Sequence, residues 1–318
     1  MRTIKAAARI VGSQALLGCC ILLIITLASL SVKDNERLLS PYFWDKYCSS
    51  SILGTSVKDT VVLRSTETEE EGAFSSVLSP VAVQEAAKTQ CSRNYILGST
   101  STGKDIFLKL LDSATLYGFP LLLVALLCSL LGIMFGVLNG YYRERIIGKL
   151  GSLSSNTISA YPQLLIAILI FTIVGSPGLW VIAIVFGVTE SVRLGQAIMN
   201  KIAALKKTDF IEAAREIGLS DSRIILKHIL WYNCRELIII HVLFALSGFF
   251  LLEAYMGYLG RENFDGWGKL LGDVKDAYST EPSLLLLSTG FLVLVVSALY
   301  LIGEGVIRYL NIDEEYNR

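Results

Sequence analysis

One stretch of the chain, Ser113–Tyr142, reads SATLYGFPLLLVALLCSLLGIMFGVLNGYY and contains no Asp, Glu, Lys or Arg. A helix needs about 20 predominantly apolar residues to cross the roughly 30 Å hydrocarbon core of a bilayer. The 30 residues of this stretch exceed that length. They therefore predict a helix that spans a membrane.

Four other stretches also lack charged side chains, and they are Ile10–Val32, Leu150–Thr189, Leu237–Leu252 and Pro282–Gly303. The stretch from Leu150 has 40 residues, enough for two helices, and Gly175-Ser176-Pro177-Gly178 within it can end one helix and begin another. A soluble protein with long buried helices is the alternative, but such runs rarely coexist in one soluble domain. We therefore predict an all-α membrane protein with six transmembrane helices.

The first of these stretches has two interpretations. Arg2, Lys5 and Arg9 give the chain a basic start, as in a secretory signal peptide. The apolar part of a signal peptide is about 7–15 residues long, whereas Ile10–Val32 has 23 residues. The length favours a retained transmembrane helix.

The composition excludes two broad classes of protein. Of the 318 residues, 53% are hydrophobic and 18% are charged, and 28 basic side chains balance 28 acidic ones. A protein that binds nucleic acid needs an excess of cations to neutralise phosphates, and a disordered protein is poor in apolar residues. This chain fits neither description.

Basic residues in the loops predict the orientation of the spans, because cytoplasmic loops carry an excess of Lys and Arg. With the N-terminus inside, the inner segments are 1–9, 143–149, 190–236 and 304–318, and the short outer segments are 175–178 and 253–281. The inner segments contain 16 Lys and Arg residues, whereas the short outer segments contain three. We expect both termini to be cytoplasmic, in a bacterial inner membrane. Residues 33–112 are expected to form an extracytoplasmic insertion between the first two helices.

The cysteines and histidines argue against a metal or cofactor site. Cys19, Cys20 and Cys128 lie in apolar stretches and are expected to pack as small core residues. No Cys-x-x-Cys pair occurs and the chain has two histidines, so no zinc site is expected. Cys48 and Cys91 lie in the outer segment, where thiols can oxidise, and could form a disulfide.

Residues Gly98–Asp105, GSTSTGKD, nearly match the phosphate-binding pattern G-x-x-x-x-G-K-[ST]. The hydroxyl that would bind Mg²⁺ is replaced by Asp105, and the predicted topology puts the segment outside, away from nucleotide. We therefore expect no ATP-binding loop here. If this protein uses ATP, another chain hydrolyses it.

The longest predicted inner loop is Glu190–Glu236, and a short helix is predicted in it from Thr208. Thr208 can cap the start of that helix through its hydroxyl. Phe210, Ala214 and Ile217 recur at helical spacing and predict an apolar stripe.

A second short helix is predicted after a bend. Gly218 can close the first helix in a left-handed turn. Ser220 can cap the next helix, whose apolar face continues at Ile225 and Ile229. The two helices could pack only on their own bundle or bind another protein, and these residues favour neither.

A few polar residues lie in or beside the spans. Glu190 and Glu253 flank spans and are expected at the membrane interface, because a charge at the bilayer centre is costly. Asn139, Asn156 and Gln163 could donate hydrogen bonds to a peptide-like solute or hold neighbouring helices together.

The inner loop also carries a recognisable motif. Its tract Glu212-Ala213-Ala214-Arg215-Glu216-Ile217-Gly218, followed by Ile224–Leu230 (IILKHIL), resembles the EAA-x3-G signature of ABC importer permeases. The variant is similar to that of the C-type subunit of dipeptide, oligopeptide and nickel transporters. Other tracts resemble the same family in the same order, and they are Leu97–Asp105, Gly140-Tyr141-Tyr142, Ala160-Tyr161-Pro162 and Gly266-Trp267-Gly268.

The resemblance implies the fold of a type I ABC importer (MetI-like) permease, with an extracytoplasmic insertion between helices 1 and 2. Four segments follow from it, namely an N-terminal transmembrane helix (1–32), an extracytoplasmic segment (33–112), a core permease domain (113–305) with its cytoplasmic loop at about 193–235, and a cytoplasmic tail (306–318).

The resemblance also implies a function and partners. The chain would be a non-catalytic permease without cofactor, forming the path with a second permease, and ATP would be hydrolysed on two separate subunits. An extracytoplasmic binding protein would deliver a peptide or another small solute. Glu212 would make the polar contact with the ATPase, Ala213 and Ala214 would form the close-packing face, and Gly218 would make the bend.

The tracts depart from the family pattern at several positions. Trp231 stands where the family has proline, and Thr100 and Lys104 stand where it has aspartate and arginine. A secondary transporter or a channel subunit for a small solute is the alternative. A secondary transporter would need ionisable residues within its spans and inverted repeats, which the sequence does not suggest.

Overall fold

The computed structural model describes most of the chain, and the described residues are 2–33, 48, 57–63, 84–91, 94–100, 103–142, 146–175, 178–206, 208–260, 264–275, 278 and 282–316. In these ranges the chain folds into a helical bundle with one small sheet. The helices are α1 (Arg2–Lys33), α2 (Ile106–Ala114), α3 (Gly118–Tyr141), α4 (Ile146–Ala160), α5 (Gln163–Val174), α6 (Leu179–Leu205), α7 (Asp209–Glu216), α8 (Asp221–Arg223), α9 (Arg235–Tyr258), α10 (Trp267–Lys275) and α11 (Pro282–Tyr316).

Within the described ranges, five helical segments are long and apolar enough to cross a membrane. They are Ser13–Val32, Ile106–Tyr141, Leu179–Leu205, Asp221–Tyr258 and Pro282–Tyr309. The bent pair α4 and α5 adds a sixth if it is counted as one span. Each segment overlaps one of the uncharged stretches. The pair α4 and α5 occupies the first part of the 40-residue stretch, and α6 begins in its last part.

The third predicted span is not one straight helix. Its two parts, Gly148–Ala160 and Gln163–Val174, meet at an angle of 87°. The break lies at Tyr161-Pro162, because proline has no N–H for the helical ladder and its ring disfavours a helical conformation at the preceding residue. The predicted division after Val174 is present, and Gly175 there has φ +89°.

A seam of glycines joins α3 to α6. Gly132, Gly136 and Gly140 follow one another at four-residue spacing and lie against Leu194, Ile198 and Ile202 of α6. A Cβ added at Gly136 would lie 2.6 Å from the Cβ of Ile198. Small residues at this spacing let two helices approach closely in a bilayer, where apolar burial alone does not drive association. The two helices therefore leave no room for a side chain at the glycine positions.

The segment predicted to lie outside the membrane contains the small sheet. Strands β1 (Val57–Leu63) and β2 (Gln84–Gln90) pair antiparallel, with Val57 opposite Gln90. This sheet adds strands to a chain whose other described elements are helical, and no strand was predicted there. Next to it, Cys48 and Cys91 are joined by a disulfide.

Cys48 is also tied to the start of the helical core. Its N–H donates to the Oγ of Ser99 at 2.8 Å, and its carbonyl accepts from the N–H of Ser99 at 3.0 Å. The tract that resembles a phosphate loop forms this contact, and its Asp105 caps α2 by accepting from the N–H of Phe107 at 2.9 Å. Asp105 therefore serves a structural role as a helix cap.

One feature of the fold differs from expectation. Of the cysteines predicted to be core residues, Cys128 is buried but Cys19 and Cys20 are exposed on α1. An apolar helix in a membrane can turn such small residues outward, because lipid does not penalise them. The last helix, α11, runs to Tyr316 and includes most of the segment 306–318, whose location as a cytoplasmic tail stays a prediction.

Candidate functional site

The two-helix loop lies at the end of the bundle where α3 and α6 stop. Helix α6 ends at Leu205, α7 follows from Asp209 to Glu216, and α8 begins at Asp221. Between them Gly218 has φ +85°, a left-handed conformation that side chains other than glycine adopt only with strain. We call α7, the Gly218 turn and α8 the elbow.

The residues before the two helices occupy the predicted cap positions but do not cap through their side chains. Thr208 precedes α7, and its hydroxyl donates to the carbonyl of Leu205 at 2.6 Å. Ser220 precedes α8 and likewise makes no capping hydrogen bond through its side chain. The hydroxyl of Thr208 thus closes the end of α6 and leaves the first N–H groups of α7 without its help.

The predicted apolar stripe of the first helix is displaced. Ile211 and Ala214 are buried, whereas Ile217 is 80% exposed, and the side chain of Phe210 lies outside the described part of the structure. Ile217 is the C-cap of α7, and its N–H still donates to the carbonyl of Ala213 at 3.1 Å. The prediction was wrong for Ile217 because the end of the helix presents this side chain to the surface, although its backbone remains helical.

The apolar face of the second helix is also shifted. Residues Ile224–Cys234 take a π-helical geometry, in which residues five apart share a face. Accordingly Ile224 and Ile229 are buried and Ile225 is half-buried. Ile225 and Ile229 were predicted to share a face because residues four apart do so in an α-helix.

The residues predicted to contact an ATPase are distributed over the elbow. Glu212 lies in α7, although its side chain is outside the described set. Ala213 is exposed, whereas Ala214 is buried against its own chain. A Cβ added at Gly218 would meet nothing within 4 Å. Of the two alanines, therefore, only Ala213 has an exposed side chain.

Large apolar side chains are exposed around the elbow. Ile217, Leu226, Trp231 and Tyr232 are each more than half exposed. Large exposed apolar patches mark sites of contact with another protein or with lipid. The surface of the elbow, with Ala213 beside it, can therefore accept a partner.

A second polar region lies where α4 and α5 bend against α6. Gln163 donates to the hydroxyl of Thr189 at 3.1 Å, and Gln196 donates to the carboxamide oxygen of Asn156 at 3.1 Å. Asn156 and Gln163 therefore hold helices together, as one of the two interpretations expected. A shallow pocket beside the bend is lined by Ile158, Ser159, Tyr161, Gln163, Ile166, Thr189 and Arg193.

An ionisable cluster adjoins this pocket. Glu190 lies 3.4 Å from the Nη1 of Arg193 and 3.5 Å from the Nε2 of His241 on α9. Glu190, in α6, is buried against other parts of the chain, and its expected position at the membrane interface stays a prediction. The ion pair with Arg193 offsets part of the cost of burying the carboxylate.

A second buried carboxylate lies beside the start of α3. Glu253 of α9 is completely buried, and its Oε1 accepts from the hydroxyl of Tyr117 at 2.7 Å and from the N–H of Gly268 at 2.9 Å. The same hydroxyl accepts from the N–H of Trp267 at 2.8 Å. Glu253 therefore fixes the start of α10 on the bundle, and its expected position at the membrane interface stays a prediction.

The loop before α10 is held by charge as well. Asp265 accepts from the Nζ of Lys269 at 2.7 Å, and this hydrogen bond lowers the pKa of the Asp265 carboxyl. Its carbonyl accepts from the hydroxyl of Ser113 at 2.8 Å. Neither contact brings together the His, Cys, Asp or Glu side chains that a metal would need, and the described residues contain no group of three that could hold one.

In a comparison with known protein families, residues 129–311 match the family described as "Binding-protein-dependent transport system inner membrane component". The dipeptide transport system permease protein DppC of Alkalihalophilus pseudofirmus is 30% identical over 221 residues, which cover 68% of this chain and 71% of that protein. The oligopeptide transport system permease protein OppC of Haemophilus influenzae is 26% identical over 218 residues, covering 67% and 68% respectively. The OppC of Escherichia coli is 26% identical over 231 residues, covering 71% and 74%.

Proposed function

Because the chain belongs to the family of binding-protein-dependent transport system inner membrane components, we propose that it is the permease of a peptide importer driven by ATP hydrolysis on separate subunits. The observation that carries this proposal is the elbow, which presents an exposed surface at one end of the spans. The peptide substrate is supported by the matched relatives, which are dipeptide and oligopeptide transport permeases.

The elbow is the site at which an ATPase subunit docks. Glu212 supplies a polar contact, and the exposed Ala213 lets the partner approach closely. Gly218 sets the angle between α7 and α8. Ala214 supports α7 from within the chain instead of contacting the partner, because its side chain is buried.

The assembly contains a second permease, two ATPase subunits and an extracytoplasmic binding protein. Both termini of this chain are cytoplasmic, as is the elbow, and the segment with the Cys48–Cys91 disulfide is outside. Binding of ATP brings the two ATPase subunits together and moves the elbows with them. The permeases then shift between two states, whose balance each ligand changes by binding one state better than the other.

The path for the solute runs beside the bend between α4 and α5. Gln163, Thr189 and Arg193 give this region hydrogen-bonding groups at a depth where the neighbouring side chains are apolar. A peptide needs such groups because its amides and charged termini lose water as it crosses. The second permease supplies the opposite wall.

Site-specific crosslinking tests the docking role of the elbow. In a variant whose four free cysteines are replaced by alanine, Ala213→Cys in native membranes should crosslink to an ATP-hydrolysing chain that mass spectrometry identifies. Leu259→Cys, half-exposed at the opposite end of the bundle, is the matched control and should not crosslink to it. Labelling of the Ala213→Cys thiol from outside the cell, or a crosslink of equal yield from both positions, would refute the proposal.

A further inference from the structure

The last residue of α3, Tyr141, touches both halves of the elbow. Its hydroxyl accepts a hydrogen bond from the Nη2 of Arg215 on α7 at 3.0 Å and donates one to the Oδ1 of Asp221 on α8. The Nε of Arg215 lies 3.8 Å from the same carboxylate oxygen. We call Tyr141, Lys206, Arg215 and Asp221 the elbow clasp.

The clasp spans the bend made by Gly218. Arg215 lies three residues before this glycine and Asp221 three residues after it. Because Gly218 has φ +85° and no neighbour within 4 Å of its added Cβ, packing around the glycine does not hold the bend. Two backbone hydrogen bonds close the turn itself, from the N–H of Gly218 to the carbonyl of Arg215 at 2.9 Å and from the N–H of Leu219 to the carbonyl of Ala214 at 3.2 Å. The bonds from Arg215 and Asp221 to one hydroxyl tie the two helices together across this turn.

The clasp also ties in the end of α6. The Nζ of Lys206 donates to the carbonyl of Tyr141 at 2.7 Å, and it lies 5.0 Å from the centre of the Tyr141 ring. A cation at this position satisfies a carbonyl at the end of α3 and faces the negative end of its helix dipole. The guanidinium of Arg215 lies 5.7 Å from the same ring. One tyrosine thus contacts the ends of three helical segments.

The tyrosine hydroxyl makes this arrangement directional. The side chains of Arg215 and Asp221 are each about half exposed, at 49% and 58%, and an ion pair in such an exposed place contributes little by itself. A hydroxyl can donate and accept at once, and hydrogen bonds to charged groups are the stronger kind. The nearly buried Tyr141 therefore fixes where the exposed pair lies.

We propose that Tyr141 is a positioning residue that transmits movement between the elbow and the α3–α6 pair of spans. The inference rests on the proposed docking role of the elbow. The glycine seam makes α3 and α6 move together, and the clasp connects the ends of both helices to the surface that receives the ATPase. Without the hydroxyl, the ATPase would still dock, but its movement would reach the spans less completely.

The test uses the assembled transporter in proteoliposomes with Tyr141→Phe, which removes one oxygen and keeps the ring. The readout is the number of peptides imported per ATP hydrolysed. We expect this ratio to fall by about tenfold, because a hydrogen bond to a charged group contributes enough to shift an equilibrium by a factor of that order. Tyr255→Phe is the matched control, because Tyr255 is exposed on α9 away from the clasp, and it should leave the ratio unchanged.

A double-mutant cycle separates a shared role from independent damage. Asp221→Ala should lower the same ratio, and adding it to Tyr141→Phe should lower it little further, because residues in one network are not additive. The Asp221→Ala variant also provides a test of the proposal if the Tyr141→Phe variant accumulates poorly. A normal ratio in both single variants, or a double variant whose effects multiply, would overturn the proposal.

The crosslink formed by the Ala213→Cys variant distinguishes failure of this inference from failure of the proposed function. We expect the crosslink to persist at the same yield when Tyr141→Phe is added to that variant. Loss of the crosslink on adding Tyr141→Phe would mean that the tyrosine is needed for docking itself, which contradicts a role in transmission. Absence of the crosslink when Tyr141 is intact would instead refute the docking role of the elbow.

Discussion

The hydroxyl of Tyr117 lies 2.7 Å from the carboxylate of Glu253, to which it donates a hydrogen bond, and both groups are buried in the bundle. This pair lies at the start of α3, and the elbow clasp lies at its end. A helix of 24 residues is about 36 Å long. Polar contacts therefore flank this helix at both ends, a buried one to Glu253 of α9 and a half-exposed one to the elbow.

Removing the carboxylate of Glu253 should destabilise the protein. Glu253→Ala leaves the N–H of Gly268 without its acceptor and opens a cavity, and we expect a loss of about 2–4 kcal/mol in the free energy of unfolding. Glu253→Gln keeps an acceptor oxygen and should cost less. Unfolding of the detergent-solubilised protein, followed by the fluorescence of Trp267 and the other tryptophans, measures the difference. Equal stability of Glu253→Ala and the parent would contradict the assigned role.

The glycine seam should tolerate no side chain at its centre. Gly136→Leu places a side chain where even a Cβ would lie 2.6 Å from that of Ile198, so we expect α3 and α6 to separate and stability to fall by at least about 1–3 kcal/mol. Gly118→Ala is the control in the same helix, because an added Cβ there meets nothing within 4 Å. Thermal unfolding midpoints in detergent compare the two variants, and a midpoint for Gly136→Leu equal to that of Gly118→Ala would refute the close packing.

The Gly218 turn should be sensitive to conformation and insensitive to size. Gly218→Val forces a β-branched residue to φ +85° at a cost of roughly 1–2 kcal/mol, so peptide uptake should be lost while membrane insertion persists. Gly218→Asn should retain part of the uptake, because asparagine adopts left-handed conformations more readily. Gly178→Val provides the control, since Gly178 has φ −73° and an added Cβ meets nothing. Equal uptake by the Val and Asn variants of Gly218 would show that the left-handed turn is irrelevant.

The disulfide predicts a simple count of thiols. With Cys48 and Cys91 joined, the denatured protein should accept four alkylating mass tags without reductant and six after reduction. Replacing Cys48 with serine should leave five tags in both conditions. Six tags without reductant in protein taken directly from the membrane would exclude the bond.

The sequence was informative about the spans because lipid imposes a length and an absence of charge that can be counted. It also located the elbow, since Gly218 and the helix-start residues have local conformational preferences. The 87° bend could have been predicted from Pro162, because proline interrupts a helix. Counting uncharged residues does not detect it, since proline carries no charge. The π-helical geometry that pairs Ile224 with Ile229 has no comparable local signal.

The buried polar contacts could not be predicted, because each joins residues far apart in the chain. Tyr117 and Glu253 are separated by 136 positions, and Tyr141 and Arg215 by 74. The positions of Glu190 and Glu253 beside uncharged stretches could not show that each is buried, because partners elsewhere in the fold determine whether a carboxylate can be buried. The exposure of Ala213 and burial of Ala214 likewise depend on how α7 packs against the rest of the chain.

The energy source of transport tests the central claim most directly. Uptake of a labelled oligopeptide should be measured in cells whose ATP is depleted while an ion gradient across the membrane is maintained, and again with ATP present and the gradient abolished by an ionophore. We predict that uptake by this chain and its partners stops in the first condition and continues in the second. Uptake that persists without ATP and stops when the gradient is abolished would contradict an ATP-driven permease and identify a secondary transporter.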